Sequence, residues 1–494
     1  MQSQDSARTA APAPDAPPGL RHGCLTMIEN LAQTMGVLSP SGTISVIIPL
    51  LILSAGNGTW LLLLVTLSIF LLVMVSVTRF ASMHSSAGSM AAFARLGWGA
   101  RGGLIGAWIY LLGMAYCIPA ALLSSASYFD LLLLPNFGPQ GASLRLAALT
   151  AALTIACWLA AHRDIKLSTN LMLVIECVSV GLMLVLMTAG MIHSDAWIDA
   201  AQIHLSGFHF AGLQGGLVLA FMLLAGFEGT TSLGEEAQNP TKTIPRAILT
   251  CMVPLVVLYF FITYGIVSLG NRGVIGGQIE GLTVPFDNIA QSLHLPWLGP
   301  VSSLGVALSY FGCGLGSLTV ASRVLFSMAR DGQFWRSFGA AHPRNATPHR
   351  AIAAISIASM AIPVAMLAYG ADLGMSISFL SQLGSLGLIG GYFMVVVALP
   401  LYLRRRGLLR AGDLVLAAAA GLMLVLVLLL SVYPRPPPPY NTLIYIFGAC
   451  TVAGILVSAA LSRAREAFEL ASDRKRAMKV LLDFGSTQAP QTLT

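Results

Sequence analysis

Two carboxylates stand inside otherwise apolar sequence, and both could do chemistry. Glu228 lies in MLLAGFEGTTSLG between Gly226 and Gly229, and Glu176 lies in LVIECVSV. Charge at the centre of a bilayer costs about 2.5–3.5 kcal/mol, so an acid placed there serves a proton, a cation or a buried hydrogen bond. Glu228 could bind a substrate cation or carry a proton, or else tie loose backbone to its neighbours. Glu176 could accept a coupling proton, or join two helices through a hydrogen bond.

The backbone around these acids offers a second kind of chemistry. The run MGVLSPSGTISVIIPLL is interrupted at Pro40, Ser41, Gly42 and Thr43, and the run holding Glu228 is interrupted by Gly226 and Gly229. At such a break the second half-helix presents free N–H groups and a positive dipole end, while the first half ends in free carbonyls. An α-carboxylate would sit on the amides of Ser41, Gly42 and Thr43, and an α-ammonium on carbonyls near Ala225, Gly226 and Phe227. The ring of Phe227 could close over the bound molecule or simply pack. Walls would come from Tyr110, Met114, Cys117, Tyr310, Phe311, Phe379 and Gln382, none of them charged, which favours a neutral or apolar substrate. Glu235, Glu236, Lys242 and Arg246 fall at one mouth, as a gate of ion pairs or as static pairs.

The elements that must hold these groups follow from composition. Of 494 residues 56% are hydrophobic and 10% charged, which excludes a soluble globule with a polar shell and predicts an all-α polytopic membrane protein. Apolar runs recur about twelve times, each long enough for roughly 30 Å of hydrocarbon. The expected spans are 27–55, 58–79, 103–130, 144–161, 168–191, 212–235, 246–270, 297–329, 350–369, 375–400, 413–432 and 440–461. The two breaks fall five spans apart, the pattern of an inverted repeat. Glycines in SYFGCGLGSL (Gly312, Gly314 and Gly316) read as close helix packing.

Basic residues alternate in density from loop to loop. Arg79, Arg95, Arg101, Arg163, Lys166, Lys242, Arg246, Arg330, Arg336, Arg344, Arg350, Arg404, Arg405, Arg406 and Arg410 share one side, against Arg145, Arg272 and Arg435 on the other. The positive-inside rule then puts the dense side and both termini in the cytoplasm of a plasma (inner) membrane. The net charge of +7 needs no nucleic-acid partner. Residues 1–25 read as a disordered tail and 462–494 as a cytoplasmic tail, solvated or lying on the membrane surface as an amphipathic helix. No cofactor is expected beyond a coupling ion, H+ or Na+, because cysteines stand singly, histidines keep to edges and no phosphate-binding loop appears.

The elements GFEG and E-x-x-N-P-x-x-x-I-P-R-A-I (Glu236, Asn239, Pro240, Ile244, Pro245, Arg246, Ala247, Ile248), with SSAGSMAAFARLGWGARGGLIGAW from Ser85 to Trp108, resemble the amino acid–polyamine–organocation permease superfamily. The resemblance implies a leucine-transporter-type five-plus-five inverted repeat with a core at 26–400 (repeats 26–191 and 212–400) and two further helices at 401–461. It also implies uptake or exchange of amino acids or related amines. Many members carry G-S/A-G-I-F in the first span where this chain has Ser41, Gly42, Thr43, Ile44 and Ser45, which loosens the placing of the carboxylate cradle. A polyamine or organic-amine carrier and a transporter-like sensor stay open beside an amino acid permease. An enzyme is not expected, since no nucleophile–base pair or metal grouping stands out.

Overall fold

A computed structural model describes residues 20–133, 141–163, 165–208, 210–275, 285–433 and 435–463. Among them there are helices and turns and no strand. Residues 1–19 and 464–494, most of the two expected tails, lie outside the described residues.

The chain runs through α1 (Met27–Leu38), α2 (Pro40–Ala55), α3 (Thr59–Met83), α4 (Ser89–Leu133), α5 (Ala142–His162) and α6 (Ile165–His193). After a single turn, α7 (Ala200–Ile203), come α8 (Phe210–Ala220), α9 (Pro240–Asn271) and the short α10 (Pro285–Ser292). They are followed by α11 (Leu298–Arg330), α12 (His349–Ala368), α13 (Leu373–Arg405), α14 (Ala411–Leu430) and α15 (Tyr440–Arg463). Among the described residues ten helical runs are long and apolar enough to cross a membrane, and one of them, Met27–Met83, contains α1, α2 and α3.

Local chemistry makes both expected breaks. Pro40 disfavours right-handed helix in the residue before it, and Ser39 adopts the left-handed region (φ 47°) with its N–H donated to the carbonyl of Met35, so α1 is capped and α2 starts afresh. In the second segment α8 gives way to 3-10 turns at Phe221–Leu223 and Gly229–Leu233, with Gly226 between them at φ 94°. Two weak 3-10 turns around a left-handed glycine leave this stretch without a continuous hydrogen-bond ladder.

Tight glycine contacts fix the frame around the breaks. A Cβ on Gly113 of α4 would lie 2.8 Å from the backbone of Gly387 on α13, so these helices touch backbone to backbone. Gly314 of α11 packs on Leu122 of α4, Gly316 on Val37 and Gly312 on Met172, as expected for packing glycines. The expected span at 103–130 begins earlier, at Ser89, but Gly99 (φ 76°) turns the chain, so 89–98 is a separate short helix ahead of the apolar run.

Candidate functional site

The two breaks meet. Val37, just before the first, lies against Gly226 and Gly229 of the second, and any Cβ on Gly226 would collide with the Val37 side chain. Gly226→Ala therefore meets a clash and an unfavourable φ together. We expect it to cost about 1–3 kcal/mol, seen as a lower melting temperature of the purified protein.

Beside this contact a cavity of about 50 Å³ remains, lined by Leu38, Thr43 and Ile47 from the first broken segment and Met222, Ala225 and Gly226 from the second. The opposite walls are Met114, Cys117 and Ser124 of α4, Tyr310, Cys313 and Ser317 of α11, and Ile377 and Ser381 of α13. No charged side chain lines it. The hydroxyls of Tyr310 and Ser317 are buried without a hydrogen-bond partner. Such groups cost about 1–3 kcal/mol each when left unpaired, so both are suited to hydrogen-bond a guest.

Of the residues expected to bind substrate, Thr43, Ala225, Gly226 and Tyr310 line the cavity, as do the expected wall residues Met114 and Cys117. Ser41, Gly42, Phe227 and Tyr110 do not. The amides of the first break are engaged by the protein itself: Ser41 N–H donates to Glu176 Oε1 at 2.6 Å, Gly42 N–H to Ser309 Oγ at 3.4 Å and Thr43 N–H to the carbonyl of Ser39 at 2.8 Å. Phe227 is fully buried against Phe70 (centroids 5.9 Å apart) and Tyr392 (5.6 Å), so it packs behind the break in this conformation. Phe311 and Phe379 also stand outside the lining, the latter near Tyr440.

Each acid closes a network. Glu176 on α6 accepts from Ser41 N–H and, through Oε2, from Ser309 Oγ of α11 at 2.6 Å, and Ser309 meets Ser39 Oγ at 2.6 Å. It therefore sits on the positive end of α2 and links three helices. Glu228 accepts from Tyr110 of α4 (3.0 Å) and Tyr392 of α13 (2.8 Å), while the Tyr392 hydroxyl accepts the N–H of Gly226 at 3.3 Å. Tyr110 thus holds the break in place from outside the cavity.

At the arginine-rich mouth Glu236 meets Arg323 of α11 in a two-pronged pair (2.7 and 2.9 Å), both side chains buried, and Glu235 meets Arg330 at 3.0 Å on the surface. Arg246 is exposed and makes no ion pair among the described residues, and Glu236 pairs with Arg323 of α11. The reason is geometric: α9 starts at Pro240 with Arg246 on its outer face, whereas α11 passes directly under Glu236. Leu25 clips the same segment, donating its N–H to the carbonyl of Glu236 and accepting from Gln238. Sequence reasoning missed Arg323 because basic residues were counted in loops; an arginine two turns inside an apolar run was the available signal. Ser309 and Tyr392 gave no signal beyond small-residue and aromatic packing.

Residues 29–434, most of the chain, match the amino acid permease family. The chain belongs to that family. This permease is 26% identical over 371 residues to an uncharacterized transporter of Mycobacterium tuberculosis, covering 74% of the chain and 78% of that protein. It is 30% identical over 141 residues to a branched-chain amino acid permease of Bacillus subtilis (28% of the chain, 29% of that protein). Over 316 residues it is 22% identical to a glutamate/serine transporter of the same organism (60% and 58%). Together with the ten apolar helical runs, the family makes it a multi-pass membrane permease of the amino acid–polyamine–organocation superfamily.

Proposed function

We propose that this permease is a secondary transporter that moves a neutral amino acid by alternating access. The observation that carries the reading is the uncharged cavity between the two breaks, with the unpartnered hydroxyls of Tyr310 and Ser317 in its wall. A charged substrate side chain would find no counter-ion there, whereas hydroxyls and backbone dipoles can hold a zwitterion's two ends.

The architecture in this reading has twelve spans. Met27–Met83 supplies two, and the broken segment from Phe210 to Leu233 adds one that is too interrupted to count as a single apolar helix. Repeats at 26–191 and 212–400 form a five-plus-five core, α14 and α15 stand outside it, and the arginine-rich mouth faces the cytoplasm of the inner membrane. The buried pair at Glu236 and the strap at Leu25 close that mouth in the present conformation.

A proton is the coupling ion that fits Glu176. Both of its oxygens face donors, the Ser41 N–H and the Ser309 hydroxyl, and donor hydrogens repel a sodium ion while they stabilise a carboxylate. Exchange of one amino acid for another uses the same site without net proton movement. No resident cofactor takes part.

One observation favours a second reading, a carrier of organic amines: the amides of Ser41, Gly42 and Thr43 already have protein acceptors, so a substrate without a carboxylate need displace none of them. Leucine and isoamylamine, which share a side chain, separate the two. In counterflow by the permease in liposomes, the amino acid reading predicts exchange of leucine or another neutral amino acid and none of its decarboxylated amine. Exchange of amines alone would overturn it.

A further inference from the structure

Three basic residues stand against the charge bias, on the arginine-poor side: Arg145, Arg272 and Arg435. Two have structural work. Arg145 pairs with Asp130 at 3.0 Å, and Arg272 donates to the carbonyls of Ser194 and Ile198 at 3.1 and 3.2 Å. Arg435 is exposed and has no ion pair among the described residues, yet it borders a chamber of about 720 Å³, far larger than the cavity at the breaks.

The chamber offers a leucine-rich wall and a single cation. Leu50 and Leu53 of α2, Val218 and Leu219 of α8, Leu386 of α13 and Leu430 of α14 make an apolar wall. Its one charged group, Arg435, lies in the connection between α14 and α15, with Tyr440 and Asn441 at the start of α15, while Ser54 of α2 and Ser378 and Gln382 of α13 add neutral polar groups. Asn441 Oδ1 is buried with no hydrogen-bond partner. No Asp or Glu lines the chamber, so an anion meets attraction without opposition. Leu53 is 52% and Tyr445 71% exposed at its flank, on surfaces that face lipid in a membrane protein.

We infer that this chamber binds one anionic phospholipid, its phosphate on Arg435, a headgroup hydroxyl donating to Asn441 Oδ1 and an acyl chain along the leucine wall. A basic side chain near a bilayer surface strengthens anionic lipid binding about fivefold. Water against the leucine wall beside hydrocarbon would be costly, and a chain of methylenes covers that wall without unpairing Ser54, which donates to the carbonyl of Leu51, or Gln382, which donates to Ser378 Oγ. The binding ties α2 and α8, which carry the outer halves of the two broken segments, to α13 and α14.

Native mass spectrometry of the purified full-length permease, titrated with phosphatidylglycerol or phosphatidylcholine, tests this. Wild type retains one phosphatidylglycerol that survives dilution; Arg435→Gln weakens that retention about fivefold without changing phosphatidylcholine binding. Leu53→Trp, at an exposed position that tolerates bulk, narrows the chamber along the leucine wall and weakens the retained lipid with Arg435 intact. Equal phosphatidylglycerol retention by all three proteins would overturn the assignment. So would displacement of the lipid by millimolar glycerophosphoglycerol, which has the headgroup and no acyl chain.

Discussion

Arg323→Met is expected to lower the stability of the permease by about 3–5 kcal/mol. Arg323 holds Glu236 with two hydrogen bonds, at 2.7 and 2.9 Å, where the two side chains are only 3% and 4% exposed. Removing the arginine leaves a carboxylate out of water with no compensating charge. Glu236→Gln in the same chain removes that charge, so the double variant should recover much of the loss, and the recovery distinguishes a desolvated ion from a merely misfolded helix. The neighbouring pair gives the internal comparison: Arg330 is 50% exposed, and Arg330→Met should cost no more than about 1 kcal/mol. Thermal unfolding in detergent reads all three. An Arg323→Met protein within about 1 kcal/mol of wild type would mean the buried pair carries no such weight.

In the proposed alternating-access cycle the same pair would have a functional side. It joins the segment after the second break to α11, and with the Leu25 strap it closes the arginine-rich mouth. An ion pair that must break for the mouth to open sets part of the barrier between conformations. In the double variant, folded but unlocked, cysteines introduced along 233–235 should react faster with a water-soluble maleimide than the same cysteines in the otherwise wild-type chain.

Much of the architecture was legible because a bilayer requires long apolar helices whose ends composition marks. The run expected at 297–329 is α11, Leu298–Arg330, and the run expected at 27–55 is α1 plus α2, with the interruption at Ser39 and Pro40 where a proline must restart the helix. Gly226 was legible for the same reason, since only glycine suits φ 94° against Val37. What stayed hidden was pairing across the chain. Glu176 meets Ser309 across 133 positions and Glu228 meets Tyr392 across 164, and neither a serine in a small-residue helix nor a tyrosine in an apolar one announces its partner. Phe227 shows the limit from the other side: its position beside the break suggested a lid, but the space behind the break is filled by Phe70 and Tyr392, and their rings hold it away from the cavity.

Glu176→Gln should abolish proton-driven accumulation of substrate, by at least about tenfold, while leaving counterflow largely intact. Gln has nearly the shape of Glu, and its carbonyl can still accept the Ser41 N–H that Glu176 accepts at 2.6 Å. Its amide can donate to Ser309 Oγ, which can turn its own hydrogen towards Ser39 Oγ, 2.6 Å away. The hydroxyl pair thus adapts to a donor on the acid's side, and the same adaptation lets wild-type Glu176 hold a proton or release it without moving the first break. Gln keeps the geometry and loses only the exchangeable proton, so substrate exchange, which needs geometry alone, continues. Glu176→Ala removes the acceptor for Ser41 N–H altogether, leaves a cavity among three helices and should fail in both assays. Liposomes with an imposed pH gradient decide the matter: if Glu176→Gln accumulates substrate as wild type does, the acid is a structural link between α6, α2 and α11 and carries no coupling proton.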